Sequence, residues 1–191
     1  MKVTAFNGSA RNGGNTAIML KLVLEELQDR GIDTELIQLS GENIPGCTAC
    51  YKCFKNKDQR CAVEGDLIND ALEKMLEADG ILLGSPSYFS DVSAGMKALI
   101  ERTGMVARAN NDMFRRKVGA AVVAQRRAGA THVFSSINYF FFIAQMIVPG
   151  SSYWNLGFGK EPGDIRRDEE AVQTMMTLGR NMAWLLKKIK T

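Results

Sequence analysis

Short apolar runs alternate along this chain with longer segments in which Leu, Ile, Met and Ala return every third or fourth position. That alternation is the signature of strand-helix-strand units building a parallel sheet. Five strands are predicted, at 2–8 (KVTAFNG), 34–39 (TELIQL), 80–86 (GILLGSP), 117–124 (KVGAAVVA) and 145–150 (QMIVPG). Most are apolar almost throughout, as strands covered on both faces must be. Only TELIQL alternates apolar with polar, which suits an edge strand.

The first helix starts near Asn15 or Thr16, runs through Ile18, Leu20, Leu24 and Leu27, and stops at Gly31. Asp66 is placed to cap a second helix whose stripe of Leu67, Ile68, Ala71, Leu72, Met75 and Leu76 ends at Asp79-Gly80. Further helices fit about 94–107 and about 131–143. The last, from about Asp168 to Lys190, has Glu169 and Glu170 in its first turn and Lys187, Lys188 and Lys190 in its last, matching the helix dipole at both ends. Two segments lack periodicity: about 41–65, read as a cysteine-rich loop insertion, and about 151–167, read as an irregular loop. The expected organisation is one domain over 1–191, a three-layer α/β sandwich.

Composition changes this picture little. With 46% hydrophobic and 24% charged residues, the chain resembles an ordinary globular protein. A formal charge of +3 is too small to predict a nucleic-acid or anionic-membrane surface. The longest apolar run, 137–148, is shorter than the roughly 20 residues that span a membrane, and MKVTAFNGSA lacks the hydrophobic stretch of a secretory signal. A cytoplasmic location is therefore expected.

The loop FNGSARNGGNT, residues 6–16, joins the first strand to the first helix, where a helix N-terminus can receive a phosphate. A nucleoside-triphosphate loop would need Lys and Ser/Thr after its last glycine, and none follows Gly13-Gly14 in that register. The dinucleotide pattern fails too, because Ala10 stands where its second glycine belongs. What remains is a nest of hydroxyls, amides and one arginine that suits a terminal phosphomonoester such as that of FMN, or a turn that merely joins strand to helix. Two further loops, 84–97 and 124–132, leave strand ends at the same edge of the sheet, and the first offers the rings of Tyr88 and Phe89 to a flat aromatic.

All four cysteines, Cys47, Cys50, Cys53 and Cys61, lie within fifteen residues, spaced C-x2-C-x2-C and then seven residues to the last. Three thiolates at such spacing can reach three corners of a [4Fe-4S] cube, with the fourth ligand close by. Structural zinc more often draws its ligands from two separated pairs. Free or redox-active thiols remain open, since Lys52, Lys55, Lys57 and Arg60 would lower their pKa values.

Taken together, GSARNGGNT, EADGILLGSPSYFSDVSAGMKALIER and CTACYKC resemble the NAD(P)H-dependent FMN reductase superfamily, and within it the iron-sulfur flavoproteins, over about residues 1–150. The resemblance implies a flavodoxin-like sheet of order 2-1-3-4-5 with FMN at the switch point. It implies that Ser9, Arg11, Asn15 and Thr16 hold the phosphate, and that Pro86, Ser87, Tyr88 and Phe89 border the ribityl chain and ring. Gln125, Arg126, Arg127, Ala128 and Gly129 would line the other edge. A homodimer or homotetramer is favoured.

No catalytic side chain is expected, because the chemistry is the flavin's. The sole histidine, His132, reads as a capping or surface residue; Arg126 and Arg127 could meet the acidic end of NAD(P)H; Trp154 walls the site, joins an interface or packs in the core. The expected function is an FMN flavoprotein with a [4Fe-4S] cluster on the four cysteines, passing electrons from reduced ferredoxin or NAD(P)H to a small acceptor. The alternative is a cluster-free NAD(P)H-dependent FMN or quinone reductase. A non-catalytic carrier fits less well, since small flavodoxin carriers are strongly acidic.

Overall fold

The computed structural model describes residues 1–41 and 43–189. Five parallel strands, β1 (Lys2–Asn7), β2 (Asp33–Gln38), β3 (Gly80–Pro86), β4 (Val118–Gln125) and β5 (Leu156–Phe158), form one sheet of order β2-β1-β3-β4-β5. The helices are α1 (Asn15–Gln28), α2 (Lys52–Asn56), α3 (Ile68–Glu77), α4 (Ala94–Ala109), α5 (Ala130–Ile143) and α6 (Glu169–Ile189), with a 3-10 turn at Asp164–Arg167. Lys190, placed by the sequence in the last turn of α6, lies outside the described residues.

Alternate residues of each strand face opposite layers. Val3, Ala5, Leu82, Val118, Ala120 and Val122 pack with α1 and α6 through Met19, Leu20, Val23, Met175 and Leu178. On the other side, Phe6, Ile81, Leu83, Ala121 and Val123 pack with α3, α4 and α5 through Leu72, Met75, Met96, Leu99, Ile137 and Phe141. The half-buried β2 is an edge strand, as its alternation predicts.

The fifth strand is a correction. The run 145–150 makes only one bridge, Ile147 to Val118, with Gly119 N donating to Ile147 O (2.9 Å) and Ile147 N to Lys117 O (2.9 Å). Pro149 and Gly150 then end it, since proline offers no ladder donor. The chain returns as β5 beside Val123–Gln125, inside the segment read as irregular. Asn155 fixes this return, donating from Nδ2 to Ala121 O (3.0 Å) while its own carbonyl accepts from Val123 N (2.9 Å). The exposed side of β5 is blunted: Leu156 N reaches Trp154 O, and Phe158 N reaches Asp168 Oδ2 (2.8 Å). Trp154 is 54% exposed, so it is not a core residue.

The cysteine segment leaves β2 at the carboxyl edge of the sheet and is held there by a buried arginine on α4. Arg102 is 1% exposed. Its Nε donates to Cys61 Sγ (3.3 Å), Nη1 to Pro45 O (3.3 Å) and to Asp66 Oδ2, and Nη2 to Val63 O (2.8 Å). Burial works to lower the Arg102 pKa, but the contacts with Asp66 and Cys61 outweigh it and raise the value. Asn69 adds a two-point clamp, accepting from Cys61 N (2.8 Å) and donating to Cys61 O (3.0 Å). Asp66 also accepts from Ile68 N (3.0 Å) at the start of α3, as its capping position predicts.

Two predictions test this packing. Arg102→Met leaves Asp66 buried without its cation and is expected to destabilise by about 3–5 kcal/mol in urea unfolding, with Arg102→Met/Asp66→Asn recovering part of the loss; an unchanged midpoint in the single variant would refute the clamp. The second concerns acid. The Arg180 guanidinium, opposed by burial, lowers the Glu26 pKa, and Lys2 similarly lowers those of Glu35 and Glu77 below the ordinary 4.5. Carboxylates depressed in the folded chain contribute stability above their unfolded value and lose it as pH falls through the folded one. Stability should therefore decline as pH drops below about 4.5, and Glu26→Gln should make that decline shallower.

Candidate functional site

The first site is built where β1, β3 and β4 end. Asn7 Nδ2 donates to Gln38 Oε1 (2.6 Å), Asn7 Oδ1 accepts from Ser9 N (3.1 Å), and Gln38 Nε2 donates to Ser9 O (2.7 Å). Gly8 N reaches Gly84 O (2.8 Å), and a Cβ on Gly8 would lie 2.8 Å from Ser93 Oγ. The loop is thereby sewn between β2 and β3 before α1 begins.

Helix α1 starts without a side-chain cap. The amides of Asn15, Thr16 and Ala17 have no partner among the described residues, and neither does the Thr16 hydroxyl. These are the orphan donors of a helix start, and with the dipole they favour an anion. They open on a cleft of about 350 Å³ lined by Ser9, Arg11, Asn15, Thr16, Pro86, Ser87, Tyr88, Ala124, Gln125, Arg126, Gly159 and Lys160. Among the described residues, three cations and no carboxylate border it. Uncapped amides, a free hydroxyl and this charge fit a phosphomonoester, and the adjoining Pro86, Tyr88 and Gln125 leave room for a flat ring system.

Nine of the thirteen cofactor residues named from sequence meet in this cleft; Phe89, Arg127, Ala128 and Gly129 do not line it. Phe89 is fully exposed at the tip of a tight turn in which Tyr88 and Asp91 exchange backbone hydrogen bonds (both 3.0 Å), with Phe89 and Ser90 at φ 50° and 61°. A bulky residue in that region is strained. Gly129, at φ 91°, starts α5; a Cβ there would lie 2.9 Å from Ser87 Oγ. The Gln125 side chain accepts from Ala130 N (3.1 Å), so it anchors α5 as well as bordering the cleft.

Asn15 does structural work. Its Nδ2 donates to Glu161 O (2.9 Å) and its Oδ1 accepts from Gly163 N (2.9 Å), tying α1 to the loop after β5. Arg11 Nη1 donates to Lys160 O (2.8 Å) across the same junction. Gly159 and Lys160, which sequence reasoning did not find, therefore complete the wall, and a Cβ on Gly159 would overlap Asn15 Nδ2. Their signal was hidden by the misplaced fifth strand.

The second site gathers Cys47, Cys50, Cys53 and Cys61 around one small pocket with Thr48, Tyr51, Val63, Arg102, Met105 and Val106. Ala49 and Tyr51 lie at φ 51° and 53° on either side of Cys50, so the chain reverses between successive thiols. Among the described residues no three His, Cys, Asp or Glu side chains are grouped tightly enough for a metal ion. The Cys50 thiol is pulled below its ordinary value by the Lys52 amide and Thr48 hydroxyl, whereas burial pushes Cys53 up. Cys47 N donates to Glu101 Oε2 (3.3 Å), a further tie to α4. His132 is an exposed residue of α5.

The chain matches the NADPH-dependent FMN reductase family over residues 1–161. It is 37% identical over 197 residues to an iron-sulfur flavoprotein of Methanocaldococcus jannaschii, covering all of both chains. It is 32% identical over 192 residues to an iron-sulfur flavoprotein of Methanosarcina thermophila, covering 100% of this chain and 97% of that one. Among solved structures it is similar to RosB with bound 8-demethyl-8-formylriboflavin-5'-phosphate (TM-score 0.79, 18% identity, all of this chain and 80% of the other). It is also similar to an archaeal flavodoxin (TM-score 0.63, 19% identity, covering 98% and 99%). With this sheet order and a phosphate-ready cleft at its switch point, the chain belongs to the NADPH-dependent FMN reductase family and is an FMN-dependent oxidoreductase.

Proposed function

We propose that the chain is an iron-sulfur flavoprotein: FMN lies in the cleft and a [4Fe-4S] cluster is held by Cys47, Cys50, Cys53 and Cys61. The observation that carries this reading is the convergence of all four cysteines on one pocket whose walls are pinned by Arg102 and Asn69. Both relatives named above are iron-sulfur flavoproteins, which supports it.

When bound, FMN supplies hydride and single-electron chemistry and a cluster supplies single-electron transfer. The chain's own residues orient and insulate. Thr16, Ser9, Arg11 and the α1 amides hold the phosphate, while Pro86, Ser87, Tyr88, Gln125 and Arg126 border the ring. Arg102 places an N–H donor on the Cys61 sulfur, which favours the anionic, ligating form of that sulfur. Electrons enter from reduced ferredoxin or NAD(P)H and leave to a small acceptor. Among the described residues no helix is long and apolar enough to cross a membrane. The exposed Tyr139, Phe142 and Ile143 of α5 supply an apolar face for a homodimer or homotetramer.

A cluster-free quinone reductase is the competing reading, supported by the exposed Cys50 with its lowered thiol pKa. Anaerobic purification separates the two. The cluster reading predicts about four iron atoms and about four acid-labile sulfides per flavin-loaded chain, both lost in Cys53→Ser; a flavin spectrum without iron or sulfide would overturn it. For the phosphate nest, Thr16→Val is expected to weaken FMN about tenfold and leave riboflavin unchanged in fluorescence titrations. Equal losses for both flavins would contradict a phosphate role for this hydroxyl.

A further inference from the structure

Beyond the flavin cleft, a trough follows the open side of β5. Its near half, about 290 Å³, is walled by Thr131, Tyr153, Trp154, Phe158 and Glu170, and it shares Gln125 with the flavin cleft. Its far half, about 400 Å³, is walled by Phe134, Pro149, Ser151 and Asn155 and shares Tyr153 and Trp154 with the near half. The two shared rings lie 5.1 Å apart and, like Phe158, stay more than half exposed. Much of the aromatic surface in this trough therefore stays open to solvent.

The polar groups of the trough share one character. Asp168 lines the near half and is fixed there by accepting from Phe158 N and Ala171 N. Glu170 has no partner among the described residues. At the far floor, Asn155 Oδ1 is buried and accepts no hydrogen bond from the described residues. Among the described residues neither half is lined by Lys or Arg, whereas the flavin cleft is lined by Arg11, Arg126 and Lys160. In a chain of net charge +3, the charged side chains lining this trough are both acids.

We propose that this trough is a binding subsite for a flat, cationic aromatic amine, which stacks on Tyr153, Trp154 and Phe158 and turns its nitrogen donors toward Glu170. Aromatic faces and carboxylates both attract such a cation. The shared Gln125 puts the ligand next to the flavin cleft, so its use as an electron acceptor rests on FMN occupying that cleft; its binding does not.

Thionine, a planar cationic diamine, is the probe, and anthraquinone-2-sulfonate is its planar anionic counterpart. The titration uses FMN-loaded chain carrying Trp184→Phe, which leaves Trp154 as the single tryptophan, with calorimetry alongside its emission. Thionine should bind saturably, quench Trp154 and exceed the anion in affinity by about tenfold or more. Glu170→Gln should reduce that preference severalfold, and Phe158→Ala should weaken thionine, both with FMN content unchanged in the visible spectrum. No saturable binding, equal affinity for both dyes, or an unaltered preference in Glu170→Gln would overturn the proposal. So would sedimentation showing a dimer that Phe158→Ala dissolves, because the trough would then be a subunit interface. Thionine binding by a chain that fails to take up FMN would uphold the subsite while removing the flavin reading.

Discussion

A parallel strand ends with its backbone turned toward the loop that follows it, and in this sheet the neighbouring strands β1 and β3 send those loops to opposite faces. The chain leaves β1 for α1 on the face shared with α6, and leaves β3 for α4 on the other. Nothing can fill the gap between two diverging loops from within the sheet, so a crevice forms there. The phosphate nest, the Tyr88 turn and the Gln125 edge all follow from that geometry. So does the need for Gly8 and Gly159, where the walls approach too closely for a side chain.

The cysteine segment solves a different problem. It contains little regular structure beyond the five-residue α2 and could not hold four thiols in place by itself. Its shape is imposed from beneath, by a guanidinium whose donors reach Pro45, Cys61, Val63 and Asp66 at once. A buried ion pair is by itself weak evidence for stability, but this one also ties four points of the segment together. Here the fixed geometry is that of the thiol pocket, and strained residues such as Ala49 and Tyr51 persist within it for the same reason.

Much of this was legible from local pattern. Continuous apolar strands, the alternation in TELIQL, Gly31 and the capping Asp66 each express a local preference that the fold obeys. The fifth strand was not legible, because the more apolar 145–150 outscored a three-residue strand whose position depends on Asn155 reaching Ala121. With it went Gly159 and Lys160. Phe89 was read as a ring wall, but tight-turn geometry carries its side chain into solvent. Arg102 did leave a sign: it sits between Leu99 and Val106 on the apolar stripe of α4, where a charge needs a buried partner. Which loop supplied that partner was a long-range fact, absent from any local window.

The account stands on two cofactors in two separate pockets of one chain. A crystal structure of protein purified and grown without air, with diffraction recorded at the iron edge, tests it most directly. The expected result is flavin density in the cleft, its phosphate at the start of α1, and an anomalous iron signal bonded to Cys47, Cys50, Cys53 and Cys61. Flavin density lying elsewhere, or a cysteine pocket with no iron in it, would contradict the account.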